Sequence, residues 1–211
     1  MRTILFSLLV GLSVACASRE ASDEGTDTTR QAATVAREPR PERLVDSLQI
    51  EGMMEPVRLH LYTAPEDFPL GFSTYLPEDM SAEPVSSDEG DALRLTSNPS
   101  GEADGPQAGL TFFVFPERTS EAEATQRAQE VATGGGETSP DTLPTDLPWM
   151  RAFYLHTAPG GAHTRSVRLG TYQGRYFYFM EEYPSEMSEG FGPRVRLVLR
   201  EWRWQDTGNS L

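Results

Sequence analysis

Tyr176-Phe177-Tyr178-Phe179-Met180 runs straight into Glu181-Glu182, and this stretch decides how the chain folds. Successive residues of a strand point to opposite sides, so a strand built from these five carries rings on both faces. Rings on both faces require cover on both faces. The stretch therefore predicts a central strand. Two strand-like segments, 150–157 and 165–172, lead into it. Pro159-Gly160-Gly161 and Gln173-Gly174 supply the turns, so residues 150–182 read as a three-stranded antiparallel meander. Gly109-Leu110-Thr111-Phe112-Phe113-Val114-Phe115 is apolar enough to be a second central strand.

Working outward toward the N-terminus, Val57, Leu59 and Leu61 alternate with Arg58, His60 and Tyr62, the pattern of a strand with one buried face. Phe72-Ser73-Thr74-Tyr75-Leu76 is another strand, stopped by Pro77, and Leu93 with Leu95 marks a short one. Residues 98–109 hold three glycines and two prolines and read as a long hairpin loop. After the 109–115 strand the period changes. Ser120 with Glu123 makes a capping box, Ala124, Ala128, Val131 and Ala132 share one helical face, and Gly134 suits a helix end. A helix over about 120–133 is expected, its alanine face close to a sheet. Residues 134–148 form a second loop rich in glycine, proline and acid.

The C-terminal segment admits two periods. Val195, Leu197 and Leu199 alternate, whereas Phe191, Val195, Val198, Leu199 and Trp202 keep helical spacing for three turns. The helical set is larger, so a helix over about 188–203 is expected, with Pro193 in its first turn. The fold class that follows is α+β: an antiparallel sheet of about six to seven strands covered by the two helices, spanning 44–205, with 206–211 as a tail. In element order it resembles the PsbP-like α/β/α sandwich. That resemblance implies a binding or assembly protein rather than an enzyme, and brings no ligand residue with it.

The N-terminus has one basic residue, Arg2, then an apolar run from Ile4 to Ala15 and the sole cysteine, Cys16. About 20 apolar residues are needed to cross a bilayer, so the run is an export signal rather than a span. Leu12-Ser13-Val14-Ala15-Cys16-Ala17 resembles the lipobox of bacterial lipoproteins, with Ser13 where that family usually has leucine. The resemblance implies removal of residues 1–15, acylation of Cys16, and attachment to the membrane through lipid. Ala17, which is not acidic, implies the outer membrane, with the domain outside the cytoplasm. Ala15-Cys16-Ala17 also fits cleavage after Ala17 by an ordinary signal peptidase. Residues 17–43 are small, polar and charged, too poor in apolar surface to offset their ordering entropy, and read as a tether.

The chain of 211 residues is acidic, with 32 carboxylates, 18 basic residues and a net charge of −14. All 18 basic residues are arginine. Such a surface repels nucleic acid and anionic headgroups, which excludes both as principal partners. One thiol excludes an internal disulfide and a thiolate metal cluster. His60, His156 and His163 lack metal spacing, so no metal or cofactor is expected. Ser73 misses the last glycine of a G-x-S-x-G elbow, and Gly134-Gly135-Gly136-Glu137 lacks a phosphate loop's lysine. Asp88, Glu89, Asp91, Glu137, Asp141 and Asp146 lack the spacing of a calcium loop. Glu181 and Glu182, as strand neighbours, point to opposite faces and cannot act on one bond. No catalytic residue is therefore assigned.

Arg196, Arg200 and Arg203 line one side of the expected final helix and form the one basic cluster of the domain. Either they meet Glu181 or Glu182, or, with Trp204, they receive an anion or a partner. Trp149 and Trp204 fall off the core stripes and are candidates for an exposed contact. The sequence thus leads to an envelope-anchored lipoprotein with a non-catalytic binding or assembly module, whose partner is an envelope protein or polymer. The alternative is an envelope hydrolase with an unidentified carboxylate or serine centre.

Overall fold

The computed structural model describes residues 39–97, 107–134, 140–145 and 147–211, so Cys16 and most of the segment 17–43 lie outside it. In chain order the described elements are β1 (Arg43–Ile50), β2 (Met53–Thr63), β3 (Phe72–Pro77), β4 (Met80–Ser87), β5 (Gly90–Ser97), β6 (Ala108–Val114) and α1 (Glu121–Thr133). They continue with β7 (Asp141–Leu143), β8 (Met150–Thr157), β9 (His163–Tyr172), β10 (Arg175–Pro184), α2 (Ser188–Arg200) and β11 (Arg203–Trp204). Two antiparallel sheets result. One has seven strands in the order β4-β5-β6-β10-β9-β8-β7, and the other four in the order β1-β2-β3-β11.

This overturns the expected α+β sandwich of PsbP-like form. The described chain is mostly β, and a second sheet, not a helical layer alone, closes the main sheet's inner side. The physical reason is that alternation reveals a buried face without revealing which sheet a strand joins. β2 pairs with β1 on one side and with β3 on the other, and neither β2 nor β3 joins the meander. Two further strands carry weak patterns. β4 contains Pro84 and is mostly exposed, as a sheet-edge strand tolerates. β1 looks polar because four of its eight residues face solvent.

β10 is covered on both faces. Phe177 and Phe179 join Phe112, Phe72 and Trp202 between the sheets, while Tyr178 packs with Phe113 and Phe115 near the alanine face of α1. Ala124, Ala128 and Ala132 are fully buried there, and their small size lets the helix lie close to β8, β9 and β10. Ser120 caps α1: Glu123 N–H donates to its Oγ (3.3 Å), and its own N–H donates to Glu123 Oε2 (2.8 Å). At the other end Gly134 takes φ 63°, a left-handed conformation that glycine accepts without strain. Arg165 donates to the Val131 carbonyl at 3.3 Å and completes that end.

α2 stops at Arg200, three residues short of the expected end, and the chain turns so that β11 pairs with β3 through Arg203 opposite Ser73 and Trp204 opposite Phe72. Tertiary contacts outweigh helical periodicity here. Trp202 is fully buried, its ring stacked on Phe72 with centroids 3.8 Å apart and planes 12° apart. Pro193 also lies beyond the first turn expected for it, because the helix begins at Ser188. Its missing N–H leaves one helical hydrogen bond unmade. Residues 206–211, read as a tail, fold back, with Trp204 N–H donating to the Asn209 carbonyl at 3.0 Å.

Two measurements test this core. Trp202→Ala is expected to cost about 3–5 kcal/mol, read as a lower urea midpoint at similar slope. Burial pushes the Tyr178 hydroxyl up to about 12. Its folded pKa lies above the unfolded value of 10, so the stability it protects is intact below pH 10. That stability falls by up to roughly 1.4 kcal/mol per pH unit as the pH rises toward 12. Ultraviolet titration should show one tyrosine ionising only as the protein unfolds, and Tyr178→Phe should remove that part of the alkaline loss.

Candidate functional site

The arginines singled out in the sequence do not converge. Arg200 reaches back to Asp46 on β1 and to Glu201, where Nε donates to Oε1 at 3.0 Å. Arg203 lies on β11, off the helix, and donates to the backbone carbonyls of Arg200 (2.8 Å) and Trp202 (2.6 Å). Arg196 is exposed and borders a shallow groove of about 530 Å³ with Gln49, Gly52 and Pro193. Glu51 and Glu189 line the same groove, so it does not favour an anion. Trp204 is 3% exposed and stacked on Tyr172 at 3.9 Å, which leaves no ring to offer a partner. Trp149 is half-buried against Phe177 and Phe179.

Glu181 and Glu182 are also committed, to arginines other than those expected. Glu182 pairs with Arg165 and Glu181 with Arg168, both on the neighbouring strand β9. Cross-strand neighbours meet first, which explains why the final helix does not supply the partner. Arg168 also lies over the Phe153 ring at 4.8 Å. Ser73 Oγ accepts from Arg40 at 3.0 Å and is not placed as a nucleophile. His163 Nδ1 lies 3.8 Å from Glu182, His60 and His156 are half-buried on strands, and among the described residues no three ligating groups cluster. Glu89 pairs with Arg127 at 2.5 Å; Glu137 and Asp146 lie outside the described residues. Among the described residues no helix is long and apolar enough to cross a membrane.

What remains distinctive is the β1–β2 hairpin. Among the described residues, the large apolar side chains left exposed are Val45 (67%), Met53 (62%), Met54 (65%) and Leu147 (41%). Three of these four lie on one hairpin. The hairpin turns at Glu51-Gly52, both at positive φ (50° and 79°), the geometry of a two-residue type I′ turn. β3 pairs with β2 only from Leu59 onward, so the hairpin end beyond Arg58 stands free of it. Val45 and Arg58 are register partners, as are Gln49 and Met54, which puts Val45, Met54 and Pro56 on one face. Beside that face lies a groove of about 510 Å³ floored by Val45, Pro56, Val57 and Pro77 and rimmed by Arg58, Glu78 and Asp79.

The hairpin's root is tied down by a residue that the sequence reading left in the tether. Arg40 donates to the Ser73 carbonyl (3.2 Å), Ser73 Oγ and the Glu201 carbonyl (2.9 Å), with its guanidinium 4.4 Å from the Tyr75 ring. Tyr75 in turn donates to the Pro41 carbonyl at 2.8 Å. Asp46 accepts the Ser47 N–H at 2.7 Å and pairs with Arg200, and these bonds hold its carboxyl below the usual carboxylate range. Sequence pattern missed the hairpin face because β1 reads as polar; the signal available was Met53-Met54, two large apolar residues beside a glycine turn. No family model, curated protein or solved structure matches the chain.

The Glu181–Arg168 pair allows a direct test of its structural role. Glu181 is 7% exposed, so Glu181→Ala strands the guanidinium and is expected to cost about 2–3 kcal/mol, less than for a wholly buried pair because part of Arg168 meets solvent. The double variant Glu181→Leu/Arg168→Met should recover most of that loss in urea unfolding.

Proposed function

We propose that this chain is an envelope lipoprotein, anchored through acylated Cys16, whose domain binds or assembles with another envelope component and catalyses no reaction. The observation that carries the binding reading is the exposed apolar face of the β1–β2 hairpin on an otherwise strongly acidic chain. An unpaired apolar strip of this kind costs solubility unless a partner covers it. The lipobox-like Leu12-Ser13-Val14-Ala15-Cys16-Ala17 carries the anchoring reading. The residues nearest to a hydrolytic centre favour binding as well. Glu181 and Glu182 are held in ion pairs on opposite faces of β10, and Ser73 accepts from Arg40.

The acceptor of the lipid is a single thiol, which makes the anchoring test simple. Intact mass of the full chain made in a bacterial host should show loss of residues 1–15 and gain of acyl groups, and Cys16→Ser should abolish incorporation of labelled palmitate. A product starting at Ser18 without lipid, or at Met1, would reject the anchor. For the domain, Val45→Glu with Met54→Glu should remove membrane crosslinks while leaving the urea midpoint nearly unchanged. Turnover of ester, glycoside or peptide substrates by the purified chain would overturn the binding reading.

A further inference from the structure

We infer that β1 pairs with β1 of a second copy, antiparallel about a twofold axis through Ser47, an inference that rests on the hairpin being the docking surface. The backbone sets the geometry. Leu61 N–H donates to the Glu42 carbonyl at 2.8 Å, and Ile50 opposite Met53 closes the two-residue turn. Antiparallel strands exchange hydrogen bonds at every second residue. Even-numbered residues from 42 to 50 therefore direct their backbone groups to β2. Arg43, Val45, Ser47 and Gln49 direct theirs outward. β1 is the outermost strand of its sheet, so no described strand receives these groups. An open edge of this kind templates another strand.

The side chains choose the register. Outward-directed residues must bond to outward-directed residues, which centres a self-pairing near the middle of β1 on Asp46, Ser47 or Leu48. Centring on Asp46 sets that carboxylate directly opposite its own copy, which destabilises the pair. Centring on Leu48 sets Asp46 opposite Ile50 and brings Val45 to the turn residue Glu51, placing charge against apolar surface in both. Centring on Ser47 sets Leu44 opposite Ile50 and Val45 opposite Gln49, each pair occurring twice, and brings Arg43 to the turn residue Glu51 of the other copy. Opposite charges meet, apolar meets apolar, and the small serines sit on the axis. Asp46 then faces Leu48, its charge still met by Arg200. The two four-stranded sheets become one of eight strands.

Asp46 also satisfies one outward donor of this edge in a single copy. Its Oδ1 accepts the outward Ser47 N–H at 2.7 Å, at the position where the second copy's Ser47 carbonyl would accept it. Pairing exchanges one acceptor for the other.

The test uses the full chain. With a benzophenone amino acid at position 45, irradiation of cells should give an adduct at twice the monomer mass, linking position 45 to residues 43–58 of another copy. An adduct only to some other molecule would overturn the second copy while keeping the hairpin as a docking surface. Absence of any adduct would overturn both. Independently, Ser47→Pro removes an N–H that β2 does not use, so the fold should survive, with a urea midpoint close to the parent's at concentrations where both are monomeric. Sedimentation of the detergent-solubilised protein should show at least a tenfold weaker dimer. Equal self-association of variant and parent, or a monomeric parent at every concentration, would overturn the proposal.

Discussion

Phe72 stacked on Trp202 is the contact on which the rest of the structure depends. Phe72 belongs to the four-stranded sheet, Trp202 follows the end of the final helix, and both meet Phe112 of the seven-stranded sheet, at 5.3 and 4.8 Å between ring centroids. Three separate parts of the chain thus share one dry cluster. The stack also dictates the chain's exit from α2: once Trp202 is buried, Arg203 and Trp204 are delivered to the open side of β3. Aromatic rings suit this role because each buries a large area at the cost of few torsions.

Charge is organised by a second constraint, that a buried or half-buried ion must find its counter-ion nearby. Arg168 with Glu181, Arg165 with Glu182, Arg194 with Asp79 and Arg200 with Asp46 all satisfy it. Several of the few cations of an acidic chain are therefore used to join elements rather than to attract ligands. Arg194 ties α2 to the turn after β3, and Arg200 ties it to β1. Among the described residues, three of the four exposed large apolar side chains lie on the hairpin.

Local order in this protein was legible in the sequence, and assembly of the elements was not. The capping box at Ser120 and Glu123, the alanine stripe of α1 and the rings on both faces of β10 each announce a geometry that short-range physics fixes. The division into two sheets depends on which edge β2 and β3 choose, and alternation is blind to that choice. The end of α2 was misplaced for a related reason: Trp202 obeys helical spacing, yet its ring follows Phe72. Of the candidate site, Arg196, Arg200 and Arg203 share a stripe only while the helix continues, and the stop at Arg200 breaks it. The hairpin face stayed hidden because Val45, Met54 and Pro56 are scattered along the sequence and become neighbours only through pairing.

Arg40 gives the domain a mechanical character. Because it grips Ser73 and Glu201 before the first strand begins, a pull on the chain upstream of Pro39 is delivered to the junction of β3 with the end of α2. The first strand is shielded from being unzipped residue by residue. Several bonds at the clasp must give way before the first strand can be peeled from its neighbour.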